Sequence, residues 1–178
     1  KGECKGLQVR GQGNRRLVVS ALGGTPVPKP MPECYEMLQK GVVDGAVYPL
    51  EANKGWKLGE VTDYATAHFS AAYTTSFFVV MNKDRWNEIP ADAQKTIEQI
   101  NQEWAVKHGA AWDSSDMEGI KFFLNQGGEI IGLDENEQER WREAVAPIID
   151  DYVKNTKEKG IDAEVIVDYI QASLDELQ

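Results

Sequence analysis

One helical pattern in the sequence is too long for a compact domain of this size. After Pro90, apolar residues recur at helical spacing, and no proline interrupts the pattern before Gly127 and Gly128. These apolar residues are Ile97, Ile100, Trp104 and Ala111. A helix of about 35 residues, rising 1.5 Å per residue, is roughly 50 Å long. The pattern therefore predicts either a helix that bridges two lobes or a helix that is broken near Gly109 or Gly119.

The first part of the chain alternates between strands and helices, which is typical of an α/β fold. Residues 7–10 are predicted to form a strand, and a helix follows Asn14. Residues 25–28 are expected to be extended because a proline disfavours helix in the residue before it. Pro32 suits the first turn of a second helix, and residues 42–47 are a second candidate strand. This order predicts a small, mostly parallel sheet with flanking helices.

Further segments complete the predicted architecture. Residues 77–81 are entirely apolar, which predicts a buried strand. A short strand is expected at residues 130–131. Asp134 is expected to cap a helix that Pro147 kinks, and Asp162 to cap the last helix.

Composition and charge exclude several classes of protein. The chain carries 19 basic and 29 acidic residues, a net charge of −10 at pH 7. A negative field repels phosphate backbones, so the sequence predicts no nucleic-acid partner. No apolar run approaches the roughly 20 residues that a transmembrane helix needs. The bases concentrate before residue 32 and the acids after residue 112. This asymmetry either steers an anionic ligand to one face or reflects solvated helix faces.

Motifs for catalysis and metal binding are absent from the sequence. Residues 11–13 begin like a dinucleotide-binding fingerprint, but Arg16 occupies the position of the third glycine. No P-loop, nucleophile elbow or zinc-protease helix occurs. The candidate zinc ligands are Cys4, Cys34, His68 and His108. Their spacing does not match that of a zinc site. We therefore expect no enzyme activity, no metal and no cofactor; the two cysteines are either free thiols or one disulfide.

Arg10 is the residue that points to ligand binding. It closes the first predicted strand, and open α/β sheets bind ligands beyond the carboxyl ends of their strands. A guanidinium fits a carboxylate with two parallel hydrogen bonds. Tyr48 ends the next strand, Met31 precedes the second helix, and residues 73–76 lead into the apolar run. Together they predict a pocket for a small organic acid. The alternative is a surface arginine in a salt bridge, with the others as core or loop residues.

Several motifs, in order, resemble those of the DctP-type substrate-binding proteins of TRAP transporters. Residues 5–10, KGLQVR, resemble the family's GLKxR strand, and residues 21–27, ALGGTPV, resemble LGATPV. Residues 33–45, ECYEMLQKGVVDG, resemble EVYxALQxGxVDG, and residues 79–90 are similar to VVMNKxxWxxLP. The similarity continues through the long helix and covers essentially the whole chain.

This resemblance implies an α/β fold of the type II periplasmic-binding-protein class. Such a fold has a mostly parallel sheet, flanking helices and a long helix between two lobes. The resemblance also implies a periplasmic protein, without catalysis, that closes on an organic acid and delivers it to TRAP membrane permease subunits. By motif position, Arg10 is the carboxylate anchor, and Gln12 and Gly13 lie in the loop beside the ligand. Met31 occupies the place of an aromatic wall, and Ser76 precedes the strand that crosses to the other lobe.

One departure from the family pattern concerns ligand choice. Many members carry the run DGQENPL, whose asparagine hydrogen-bonds the ligand, whereas residues 44–50 here read DGAVYPL. Tyr48 thus places a ring and a hydroxyl where the family has an amide. This departure disfavours sialic acid and simple C4-dicarboxylates. It predicts a more apolar or aromatic carboxylate, held at Arg10 and stacked near Tyr48.

A second departure concerns the first lobe of the family, to which no part of the sequence corresponds. By the resemblance, residues 1–75 and 116–178 form the second lobe with the C-terminal helices. Residues 76–115 are the strand and long helix that normally cross into the first lobe. The apolar run then needs a partner, which we expect from an upstream segment or another chain. The alternative function is a ligand-sensing module of the same fold that regulates a signalling or transcription partner.

Overall fold

A three-stranded parallel sheet forms the centre of the lobe in the computed structural model, which describes residues 4–67 and 77–177. Its strands are β1 (Gln8–Arg10), β2 (Thr25–Val27) and β3 (Gly45–Ala46). The spatial order is β2-β1-β3, and both pairings are parallel. The small parallel sheet predicted from the alternating pattern is therefore confirmed.

Helices connect these strands as the turn residues predict. Helix α1 (Arg15–Ala21) links β1 to β2, and Val19 is its buried residue. A 3₁₀ turn at Met31–Glu33 leads into α2 (Cys34–Gln39), which buries Cys34 and Met37 before β3. β1 lies in the middle of the sheet, and its one apolar residue, Val9, is buried.

A second, two-stranded sheet joins distant parts of the chain. Helix α3 (Ala52–Gly55) and a 3₁₀ turn at Leu58–Glu60 lead into β4 (Tyr64–Ala67). This strand pairs in parallel with β5 (Glu129–Gly132), which confirms the strand expected at residues 130–131. The pattern did not predict β4.

The long helix is continuous. A short helix, α4 (Lys83–Asn87), precedes α5 (Ala91–Asn125), which has 35 residues and is about 50 Å long at 1.5 Å per residue. The alternative of a break near Gly109 or Gly119 is therefore wrong. Gly119 and Phe123 are its buried residues, and the helix packs against α3, the adjacent 3₁₀ turn and β5. Its C-terminal part thus packs against elements that precede and follow it in the chain.

The remaining helices follow β5 along the chain. They are α6 (Glu135–Val145), α7 (Pro147–Lys157) and α8 (Ala163–Leu177). Pro147 begins a separate helix instead of kinking a single one, because proline lacks an N–H and is tolerated in the first turn. No helix in the described parts of the chain is long and apolar enough to span a membrane.

The apolar run at residues 77–81 does not form the predicted buried strand. The segment has no regular structure, and its side chains are exposed, up to 97% at Val79. A strand needs a neighbour to take up its backbone hydrogen bonds, and no strand lies beside this run in the described residues. Phe77 of this run stacks on Trp112 of α5, with ring centroids 5.0 Å apart.

Asp134 caps α6, as its position before the helix predicts. Its Oδ1 accepts a hydrogen bond from the backbone N–H of Glu137 at 2.9 Å. We expect Asp134→Ala to lower the free energy of unfolding by about 1 kcal/mol, because a backbone donor loses its partner. Urea denaturation measures this change, with Asp151→Ala at an exposed position in α7 as the control. Equal midpoints for the two variants would contradict the capping role.

Candidate ligand-binding site

The carboxyl ends of all three strands of the first sheet meet at one edge. Arg10, the last residue of β1, is in register with Val27 of β2 and Ala46 of β3. Beyond it, the N–H of Gly11 donates to the carbonyl of Val27 at 3.2 Å, and the N–H of Val47 donates to the carbonyl of Arg10 at 2.9 Å. The chain leaves β1 for β2 on one side and returns as β3 on the other. Open α/β sheets bind ligands at such an edge.

Arg10 is a buried cation at this edge. The residue is 1% exposed, and its Nε donates a hydrogen bond to the carbonyl of Lys29 at 2.8 Å. The alternative of a surface arginine is therefore wrong. The bond from Nε fixes the plane of the guanidinium, and a buried positive charge favours the approach of an anion.

Cys34 lies in the buried core beside the arginine. With Ala52 and Leu58 it forms a cluster of fully buried residues, called here the core cluster. Burial raises the pKa of the Cys34 thiol, and the charge of Arg10 lowers it by a smaller amount. Burial also raises the pKa of Cys4, and both cysteines are free thiols. Cys34 therefore acts as a small apolar residue under the site.

The other predicted site residues differ in where they lie. Gln12 and Gly13 are exposed in the loop that follows Arg10, and the φ of +62° at Gly13 favours glycine. Met31 is partly buried and packs against the core cluster. Ser76 lies outside the described residues. Of the other predicted residues, Arg10 lies at the sheet edge, and Gln12 and Gly13 lie in the loop that follows it.

Tyr48 points its hydroxyl into the lobe. Its ring packs against the core cluster, and its hydroxyl oxygen lies 3.2 Å from Oδ1 of Asn53 and 3.4 Å from Oγ1 of Thr62. The Thr62 hydroxyl donates to the carbonyl of Leu58 at 2.8 Å. Burial, the largest effect, raises the pKa of Tyr48, so the phenol stays protonated at neutral pH. No sequence pattern indicates Asn53 or Thr62, because they meet Tyr48 only through the fold.

The described residues of the site offer no cluster of metal ligands. Among residues 4–67 and 77–177, no cluster of three or more histidine, cysteine, aspartate or glutamate side chains could hold a metal ion. What the sheet edge offers is a buried cation, loop backbone, and the partly buried side chains of Met31 and Tyr48. This arrangement is suited to holding an anion rather than to transforming it.

The fold is an α/β unit with a candidate anion-binding site at the carboxyl edge of its sheet. The family model of the bacterial extracellular solute-binding proteins, family 7 (DctP), matches residues 2–156. The chain therefore belongs to this family, which confirms the resemblance drawn from its motifs. Members of the family are binding proteins, so the assignment to a non-enzymatic class is also confirmed.

Relatives and solved structures agree with this assignment. The C4-dicarboxylate-binding periplasmic protein DctP of Rhodobacter capsulatus is 28% identical over 149 residues, 82% of this chain and 44% of that protein. A TRAP periplasmic solute-binding protein from Bordetella bronchiseptica, with bound (R)- and (S)-mandelate, is 25% identical with a TM-score of 0.81. That match covers 100% of this chain and 58% of the other.

A third comparison involves an aromatic ligand. A marine metagenome TRAP solute-binding protein specific for aromatic acid ligands, in complex with 3-hydroxybenzoate, is 28% identical with a TM-score of 0.78. The match covers 93% of this chain and 53% of that one. The chain thus spans about half the length of these proteins. Their likeness confirms the predicted type II periplasmic-binding-protein class of fold.

Proposed function

We propose that the chain is the second lobe of a periplasmic solute-binding protein that captures a small organic acid and delivers it to the membrane permease of a TRAP transporter. The observation that carries this proposal is the buried guanidinium of Arg10 at the carboxyl edge of the sheet. A carboxylate placed there makes charge-assisted hydrogen bonds to a cation that is already oriented by the Lys29 carbonyl.

The ligand in this proposal carries one carboxylate and an apolar or aromatic body. Met31 and Tyr48 supply apolar surface next to the core cluster. The neighbouring cation, Lys29, forms an ion pair with Glu33 at 3.3 Å, so a second ligand carboxylate competes with Glu33 for it. Relatives of both kinds exist: the Bordetella protein holds mandelate, whereas the Rhodobacter protein is named for C4-dicarboxylates.

The proposal assigns the opposite wall of the site to a first lobe. Residues 1–75 and 116–178 form the second lobe in this division, and residues 76–115 cross between lobes. Two observations support it: the apolar run at residues 77–81 is exposed, and so are large apolar side chains in the N-terminal half of α5. These are Ile100, Trp104 and Val106. Such a surface requires a partner, from an upstream segment or from another chain.

Isothermal titration of the native protein, with any further lobe that it carries, tests the ligand class. We expect mandelate or 3-hydroxybenzoate to bind with a Kd at least about tenfold below that of succinate, a difference of about 1.4 kcal/mol. Binding of short dicarboxylates alone would overturn the aromatic preference but keep the receptor function. If no organic acid binds, the receptor function itself is wrong.

A further inference from the structure

A buried amide beside the candidate site has a donor without a partner in the described residues. Asn53, in α3, is 1% exposed, and its side-chain nitrogen has no hydrogen-bond partner among residues 4–67 and 77–177. Its oxygen lies 3.2 Å from the hydroxyl of Tyr48. A buried N–H without a partner costs about 1–3 kcal/mol, so this placement is unfavourable.

The amide oxygen of Asn53 has a partner within the lobe. The Tyr48 hydroxyl donates to Oδ1 of Asn53 at 3.2 Å. A phenol that packs against the core cluster needs an acceptor for its proton, because an unpaired buried O–H costs free energy. Asn53 supplies this acceptor.

Thr62 is the other polar neighbour of the Tyr48 hydroxyl. Its Oγ1 lies 3.4 Å from the hydroxyl oxygen, farther than Oδ1 of Asn53. The Thr62 hydroxyl donates its own proton to the carbonyl of Leu58 at 2.8 Å. Among the described residues, Asn53 is therefore the partner that takes up the Tyr48 proton.

We infer that Asn53 is a positioning residue of the candidate site, which holds the Tyr48 hydroxyl inside the lobe so that Tyr48 offers a ligand its ring and not its hydroxyl. The contacts of Asn53 alone support the claim that the Tyr48 hydroxyl is held in place. The claim that this affects a ligand rests on the proposed function. It deepens that function, because a wall without a free hydroxyl selects an apolar or aromatic part of the acid over a polar one.

The helix that carries Asn53 is itself held by the long helix. Oδ1 of Asp116 in α5 accepts a hydrogen bond from the backbone N–H of Glu51, at the start of α3, at 2.8 Å. Lys54 of α3 also pairs with Glu118 of α5 at 2.6 Å. Asn53 lies between these two contacts, so the position of the Tyr48 ring is tied to α5.

The ligand-free protein provides the first test, by proton NMR. We expect a hydroxyl proton of Tyr48 that exchanges slowly with water, identified by its loss in Tyr48→Phe. In Asn53→Leu this signal should disappear through exchange, and Tm should fall by about 4 °C. The control Asn155→Leu, at an exposed position in α7, should keep the signal. A signal that persists in Asn53→Leu, or that the unmodified protein lacks, overturns the inference.

The second test compares two ligands, because a merely structural role weakens both alike. We expect Asn53→Leu to lower the preference for 3-hydroxybenzoate over succinate by about fivefold. Loss of the hydroxyl signal with an unchanged preference would make Asn53 structural only. If Asn53→Leu does not fold, Asn53→Ala removes the same acceptor and is judged by both readouts. If the unmodified protein binds neither acid, the proposed function is wrong. The NMR test then still shows whether Asn53 holds the Tyr48 hydroxyl in place.

Discussion

Arg10→Ala should raise the Kd for the organic acid by about 100-fold or more, because the ligand carboxylate loses a buried, oriented cation. Arg10→Lys should recover little of this loss. An ammonium group is a compact point charge, and it offers neither the planar fork nor the bond from Nε that the Lys29 carbonyl accepts. Isothermal titration with 3-hydroxybenzoate or mandelate measures both variants.

The matched control for Arg10 is Arg142→Ala. Arg142 is an exposed arginine in α6 that pairs with Glu139. This variant should bind the acid as the unmodified protein does, and circular dichroism checks that all variants are folded. Equal affinities for Arg10→Ala and Arg142→Ala would show that the buried guanidinium does not hold the ligand.

Gly119→Ala should destabilise the lobe by about 4 kcal/mol or prevent its folding, as steric overlap in a packed core does. A Cβ at this position would lie 2.1 Å from the carbonyl oxygen of Leu50 and 2.9 Å from Cα of Glu51. Both atoms belong to the backbone before α3, so α3 and α5 would have to separate. Such a separation also disturbs the contacts of Asp116 and Glu118 with α3.

Gly109→Ala is the control for this prediction within the same helix. A Cβ at Gly109 meets no atom within 4 Å, so the usual helix preference of alanine should stabilise the protein by about 0.5–1 kcal/mol. Urea denaturation of both variants measures the difference. If Gly119→Ala is as stable as Gly109→Ala, the close packing of α3 on α5 is wrong.

Local sequence patterns predicted the helices and the β-α units of the first sheet. The spacing of apolar residues after Pro90 predicted α5, the turn glycines and prolines predicted the β-α units, and Asp134 predicted the start of α6. Strands were less predictable. The run at residues 77–81 is apolar enough for a buried strand but has no neighbour in the described residues, and β4 is a short strand that β5 pairs from far along the chain.

The candidate site was predictable only at its centre. Arg10 could be found because its place at a strand end follows from the local pattern. The burial of Arg10 could not be predicted, because the Lys29 carbonyl that it contacts lies in the segment after β2. The roles of Asn53 and Thr62 depend on contacts with Tyr48 across α3 and the following 3₁₀ turn. No spacing in the sequence encodes those contacts.

The central claim, that Arg10 holds the carboxylate of an aromatic or apolar acid, is tested most directly by native mass spectrometry. The native protein, freed of bound solutes by unfolding and refolding, is mixed with equal concentrations of 3-hydroxybenzoate, mandelate and succinate. We predict one complex that carries the mass of a single aromatic acid, and its absence in Arg10→Ala. A complex with succinate, or the same aromatic complex in Arg10→Ala, would contradict the claim.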